Sequence, residues 1–344
     1  MIINIGLFLI LFAVLAFPFL IHKIEKELEI FLFVMGCLAI TLTAQWRMSI
    51  IHESLVEPVK ITLAVLIAGI VFRFFQRKID RLADRAVSFM GLRLFVFVLI
   101  LLLGLLSSIF TAIIAALILV EIISCLKYDR ATETRIVVCA CFAIGLGAAL
   151  TPIGEPLSTI VIGKLKGEPY HANFFFLLKS FWHYIVPGVI VSAFIGAIFA
   201  SSGIREKRGL HEDKRESIGD IFLRAAKVYL FVMALVFLGT GFKPIVDQYI
   251  VKIPYQGIYW INMISAVLDN ATLAAAEISP TMHFIQIKSA MLGLLIAGGM
   301  LIPGNIPNII SAGKLKIRSR EWAVIGVPVG LALMVVYFIF LELV

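Results

Sequence analysis

The chain has 344 residues, 61% of them hydrophobic and 15% charged, with a formal net charge of +8; an ordinary soluble domain has roughly 45–50% and about 25%. So much apolar surface excludes a soluble fold of this size, and the positive charge reads as a membrane-topology signal rather than a nucleic-acid footprint. The four cysteines (Cys37, Cys125, Cys139, Cys141) fall in apolar segments without metal-type spacing, which points to small buried hydrophobes rather than disulfides or a zinc site.

Seven runs carry no Asp, Glu, Lys or Arg: 2–21, 30–46, 94–120, 136–154, 180–204, 289–313 and 322–341. Apolar runs of about 17–25 residues are long enough to cross a bilayer as helices. The first has no basic residue before it and no small-residue cleavage site after it, so it is expected as a spanning helix and not a signal peptide. Residues 1–59 form N-terminal extra transmembrane helices. Residues 60–200 form a first repeat, with a hairpin over 94–126 and a broken helix over 136–166. A cytoplasmic loop over 201–220 leads to a second repeat over 221–344, with a hairpin over 255–285 and a broken helix over 289–316. Within the first repeat, 76–91 place Ile79, Leu82, Ala83, Ala86, Val87 and Met90 at helical spacing away from Lys78, Arg81 and Arg85. That pattern predicts an amphipathic helix lying on the membrane or on a partner subunit.

Lys and Arg collect in five polar segments (22–29, 73–93, 127–135, 201–227, 314–320), which hold 22 of the 30. By the positive-inside rule these are cytoplasmic, which puts both termini outside a multi-pass protein of the cell membrane. Counting leaves open whether each hairpin crosses fully or re-enters.

Residues 147–156 and 298–307 superpose Gly147, Leu150, Pro152 and Pro156 on Gly298, Leu301, Pro303 and Pro307 without a gap. Each copy then runs into Gly-Lys-Leu-Lys, at 163–166 and 313–316, within one residue of the same register, and into a last span with a Trp and a Pro. The two copies face opposite ways in the topology above. The expected fold is therefore an all-α polytopic membrane protein of two inverted repeats, each with a helical hairpin and a broken transmembrane helix.

Pro and Gly at 152, 154, 156, 303, 304 and 307 must interrupt their helices, and unpaired backbone at membrane depth is tolerated only inside protein or along a cavity. The paired breaks are thus the predicted binding site, with the hairpins as its other wall. Asp269 and Glu155 are the two acids placed there, and an acid in hydrocarbon costs at least a few kcal/mol, which marks it as functional. They are the expected ion-coupling residues, and with Asn270 the expected sodium ligands. Hydroxyls, amides and freed carbonyls of Ser107, Ser108, Thr111, Thr151, Gly154, Ser158, Ser265, Thr272, Gly304, Asn305 and Asn308 complete an oxygen-lined site suited to a hard cation. Burial favours a protonated carboxyl and a bound metal ion favours an ionised one, the minimum needed for exchange. Glu121 and Glu277, on the returning hairpin arms, read as structural or interfacial. His183 reads as part of an aromatic belt, and His211 as a solvated loop residue.

At these residues the sequence resembles the ion transporter superfamily, and within it a family of predicted cation transporters (domain of unknown function 1646). Ser-Ala-Val-Leu-Asp269-Asn270 looks like the Asp-Asn hairpin of NhaD-type sodium/proton antiporters, and Thr151-Pro-Ile-Gly-Glu155 like their Pro-Ile-Gly-Asp break. The likeness covers about 91–344. It implies inverted repeats, a homodimer and an elevator-type movement. Both hairpins lack the Ser-Asn-Thr signatures of the dicarboxylate branch, which argues against dicarboxylate uptake.

The expected function is secondary active cation transport, as sodium/proton antiport without a resident cofactor, Na+ and H+ being the coupling ions. The two acids favour it, as does the expectation that no Arg or Lys lies within the membrane to pair an anion. The alternative is sodium-coupled symport of a small anion or metabolite, since helix N-termini bind anions without a basic residue. With no metal-ligand cluster, nucleophile elbow or phosphate loop, an enzyme is not expected. The expected partners are the lipid bilayer, a second copy of the chain and a small inorganic ion; nucleic acid is not among them.

Overall fold

A computed structural model describes residues 2–21, 23–24, 27–126, 128–202, 218–245, 253–268 and 270–343. These residues form helices and their connections, with no strand among them. Leu92–Phe110, Arg130–Ala148, Phe176–Ala200, Ile218–Ile245 and Ser319–Leu343 are each long and apolar enough to cross a membrane, and shorter apolar helices accompany them. The chain is an all-α, multi-pass membrane protein. Asp269 and His211 lie outside the described residues.

The first two charge-free runs form α1 (Ile2–Leu20) and α2 (Leu28–Leu42). Next comes α3 (Met48–Met90), a single helix of 43 residues, about 65 Å long at 1.5 Å per residue. It passes through residues 59 and 60 without a break. The stretch 76–91, expected as a separate amphipathic helix, supplies the last turns of α3, because no proline after Pro58 stops it. It ends at Gly91, whose φ of +78° is a conformation that L side chains rarely adopt.

In the first repeat α4 (Leu92–Phe110) and α5 (Ala112–Cys125) form the hairpin, α6 (Arg130–Ala148) and α7 (Pro156–Lys164) the broken helix, and α8 (Phe176–Ser202) the last span. The second repeat opens with α9 (Ile218–Ile245). Its hairpin is α10 (Tyr255–Ile261), continued as a 3-10 turn over Asn262–Ala266, and α11 (Asn270–Glu277). Its broken helix is α12 (Phe284–Gly298) and α13 (Ile306–Leu315), with a 3-10 turn at Ile302–Gly304 between them, and α14 (Ser319–Leu343) closes the chain.

Helix lengths distinguish the hairpins. The 19 residues of α4 span about 28 Å, close to the roughly 30 Å of a hydrocarbon core. The 8 residues of α11 reach only about 12 Å, less than half of that thickness.

Small residues bring the helices together. A Cβ on Gly147 of α6 would lie 1.7 Å from the Gly104 carbonyl oxygen of α4, and one on Gly241 of α9 would lie 2.5 Å from Ala39 Cβ of α2. The repeats also exchange partners: α5 packs on α13, and α11 packs on α7. Arg130 ion-pairs with Glu321 at 2.7 Å and donates to the Lys316 carbonyl at 2.7 Å, so 128–135 and 314–320 share one side. The Tyr170 hydroxyl donates to the Met282 carbonyl, which ties 163–175 to 278–284.

The two matched tryptophans are not equivalent. Trp322 is fully buried and its indole donates to the Gly299 carbonyl at 3.1 Å, closing the second break. Trp182 is 55% exposed. Beside it His183 is exposed, with its ring against Trp182 and Tyr184.

Candidate ion-binding site

Each break leaves carbonyls without intrahelical partners, and side chains take them up. In the first, Ser158 donates to the Ala149 carbonyl at 3.0 Å, Thr159 to Pro152 at 2.7 Å, and Thr151 to the Ser108 carbonyl of the hairpin. In the second, Asn308 Nδ2 donates to the Gly298 and Leu301 carbonyls, both at 2.8 Å. A Cβ on Gly154 would meet the Ala148 oxygen at 2.0 Å, and one on Gly304 the Gly298 oxygen at 2.5 Å. Only glycine lets the chain fold back over the end of its own helix there.

These contacts correct the register of the repeat. Ala148 and Gly298, Gly154 and Gly304, Ser158 and Asn308, and Lys164 and Lys314 occupy equivalent places, one residue away from the match made on the prolines. Glu155 is therefore the counterpart of Asn305, not of Ile306. Both are helix N-caps with nearly the same backbone, φ −155° and ψ 159° for Glu155, φ −154° and ψ 150° for Asn305. The prolines mislead because the first N–H groups of a helix have no partner to lose, so Pro fits at Pro156 and one position later at Pro307. A cap cannot slide in this way, since it must meet the first turn.

The hairpins follow the corrected register. Ser107 Oγ donates to the Ile144 carbonyl at 3.0 Å and Ser265 Oγ to the Leu294 carbonyl at 2.9 Å, so each hairpin is pinned to the same turn of its own broken helix. Ser108 bonds back within α4, to Leu105. Thr111 turns the chain between α4 and α5 with a φ of +82°, unusual for a β-branched residue. Its Oγ1 accepts from the Ile114 N–H, and the next residue, Ala112, donates its N–H to the Gly154 carbonyl at 2.9 Å. Tip and break of the first repeat are thereby joined. In the second repeat Asn270 is buried, and among the described residues its Nδ2 has no hydrogen-bond partner. Thr272 is described by its backbone alone, in α11.

The breaks meet across the repeat boundary. A Cβ on Gly145 would lie 2.7 Å from Asn305 Nδ2, and one on Gly299 would lie 2.3 Å from the Phe142 ring, so the second break rests on α6. Cys141 Sγ donates to Ser311 Oγ at 3.4 Å in the same contact. Glu155 is 6% exposed, at the N-terminus of α7, where the helix dipole favours negative charge.

Two features of this neighbourhood carry little signal in the sequence. The first is a reciprocal lysine clamp built from the repeated Gly-Lys-Leu-Lys. Lys164, ending α7, donates to the Ala275 and Ile278 carbonyls at the end of α11. Lys314, near the end of α13, ion-pairs with Glu121 of α5 at 3.0 Å. Lys314 is buried, contrary to its placement among cytoplasmic loop residues, so the interior does hold a cation. Its ion pair with Glu121, the structural partner expected for that acid, compensates the charge. Breaking a buried pair by removing one partner costs about 3–5 kcal/mol, and the partial exposure of Glu121 sets the expected loss for Lys314→Met near about 3 kcal/mol. Thermal melting of the purified protein measures this. The Lys314→Met, Glu121→Met double variant should recover part of the loss, and a single variant as stable as wild type would show that the clamp carries no load. The second feature is Glu277, which is 2% exposed and faces Asn262.

The chain belongs to a family described as a protein of unknown function (DUF1646), whose match covers residues 4–344. No curated protein matches the sequence.

Proposed function

We propose that this member of the DUF1646 family is a secondary active cation transporter of the cell membrane that exchanges sodium for protons, in the manner of the NhaD-type antiporters its motifs resemble. The observation that carries the reading is the pair of equivalent N-caps at the two breaks, one a buried carboxylate, Glu155, and the other a neutral amide, Asn305. The ionisable cap can carry a proton or face a bound monovalent cation, but not both at once. Asp269 supplies the second carboxylate, and Asn270 and Thr111 supply neutral oxygens. Both termini lie outside the cell, and two copies form a dimer.

The test is sodium movement into proteoliposomes driven by an imposed pH gradient with no organic solute present. Accumulation against the sodium gradient is the expected result. Movement only when a small anion or metabolite is added would replace exchange with sodium-coupled symport.

A further inference from the structure

Glu277 ends α11, and Asn262 begins the 3-10 turn on the opposite arm of the same hairpin. Asn262 Nδ2 donates to Glu277 Oε2 at 2.9 Å and to the Ala290 carbonyl of α12 at 3.2 Å. A carbonyl can only accept, so the atom facing Ala290 must be the amide nitrogen, and this fixes the orientation of the Asn262 amide. Both side chains are buried, at 2% and 0% exposure. Among the described residues, neither Glu277 Oε1 nor Asn262 Oδ1 has a hydrogen-bond partner. Two buried oxygens without a donor, on groups already joined by one hydrogen bond, are costly to leave so.

We infer that Glu277 is a proton-binding site, occupied at neutral pH and separate from the Glu155 site. One proton on Glu277 Oε1 converts the carboxylate to a carboxylic acid whose O–H donates to Asn262 Oδ1, while Asn262 Nδ2–H donates to Oε2. The acid and the amide then form a closed ring of two hydrogen bonds, and both unmatched oxygens are satisfied at once. An ionised carboxylate would instead leave a buried charge with one amide donor.

The charged groups around this hairpin leave that role to the proton. From α7, Lys164 directs its ammonium to the Ala275 and Ile278 carbonyls. From α12, Lys288 lies over the Tyr184 and Phe284 rings. From α9, Lys227 is paired with Glu27 and Glu29, and Asp220 and Lys243 lie in its first and last turns. On α10, the Tyr259 hydroxyl donates to the Met334 carbonyl. None of them forms an ion pair with Glu277 among the described residues, and Asp269 of the same hairpin lies outside them.

The inference is independent of sodium transport and is tested on the purified protein. Infrared spectra at neutral pH should show a protonated-carboxyl C=O band in wild type that is missing from Glu277→Gln. In Asn262→Leu the band should persist but move to higher frequency, having lost its hydrogen-bonded partner. Glu277→Gln keeps both hydrogen bonds as an amide–amide pair, so its melting temperature should match wild type, which guards against a folding artefact. Absence of a band difference between wild type and Glu277→Gln at neutral pH would overturn the inference. So would a difference band abolished by adding sodium at constant pH, since the two oxygens would then hold a cation.

Discussion

Reconstituted Glu155→Gln protein is expected to lose sodium-dependent proton flux by on the order of a hundredfold relative to wild type. Gln keeps the shape of the side chain and its place as the cap of α7, but it carries neither the exchangeable proton nor the charge that holds a cation. Leaving a buried charge without its partner typically costs about 2–5 kcal/mol, and each 1.4 kcal/mol is about a factor of ten in affinity. Asp269→Asn should have at least as large an effect, because its counterpart in the first hairpin is Thr111, which is neutral and cannot substitute for it. Thr111→Ala should mainly weaken cation affinity. Flux in proteoliposomes over a pH series compares them, and wild-type exchange with an unchanged pH profile in both acid variants would remove the basis for a carboxylate mechanism.

The second large effect is expected from one added methyl group. At Gly147 a Cβ would lie 1.7 Å from a backbone oxygen of α4, and Ser107 Oγ is the next side-chain atom in its way, at 3.1 Å. Backbone cannot swing aside as a side chain can, so Gly147→Ala must push α4 off α6 and disturb the Ser107 to Ile144 hydrogen bond. Overpacking of this kind costs about 1–3 kcal/mol, and more where backbone must move. The variant should melt markedly lower than wild type and lose sodium flux. Gly163→Ala is the control, because a Cβ there has nothing within 4 Å. Helix propensity alone then leaves its stability unchanged or raised by up to about 1 kcal/mol. Equal melting temperatures for the two variants would mean that α4 and α6 are not in this contact.

The sequence made the helical elements easy to read, because charge-free runs at membrane length have few other uses, and Pro with Gly inside such a run forces a break. Gly154 and Gly304 lie where the chain folds over its own helix end, and Ser107 and Ser265 both pin a hairpin. What could not be read was anything that depends on which atom meets which. The prolines gave a repeat register one residue out, because Pro is equally at home in either of two positions in a first helical turn. The caps Glu155 and Asn305 fix the true one, but cap geometry is visible only in the backbone. Lys314 looked like a loop cation since it sits among Lys316, Arg318 and Arg320, yet its long stem carries the ammonium to Glu121 on the other repeat. Glu277 reads from the sequence as a structural or interfacial carboxylate on a returning arm, because its partner, Asn262, comes from a part of the hairpin with no repeat signature. The continuity of α3 was hidden by a change of composition along one helix, from apolar to basic, which resembles a boundary without being one.

Competition between sodium and protons for one carboxylate site is the central claim, and the apparent sodium affinity of the wild-type protein as a function of pH tests it most directly. If only the ionised site binds sodium, the competent fraction falls tenfold for each pH unit below the midpoint of the site, and the apparent dissociation constant rises by the same factor, about tenfold per unit. At saturating sodium the maximal rate should stay within about twofold across the same range. A sodium affinity that does not change with pH, while the maximal rate falls on acidification, would contradict a shared site and place proton and cation on separate groups.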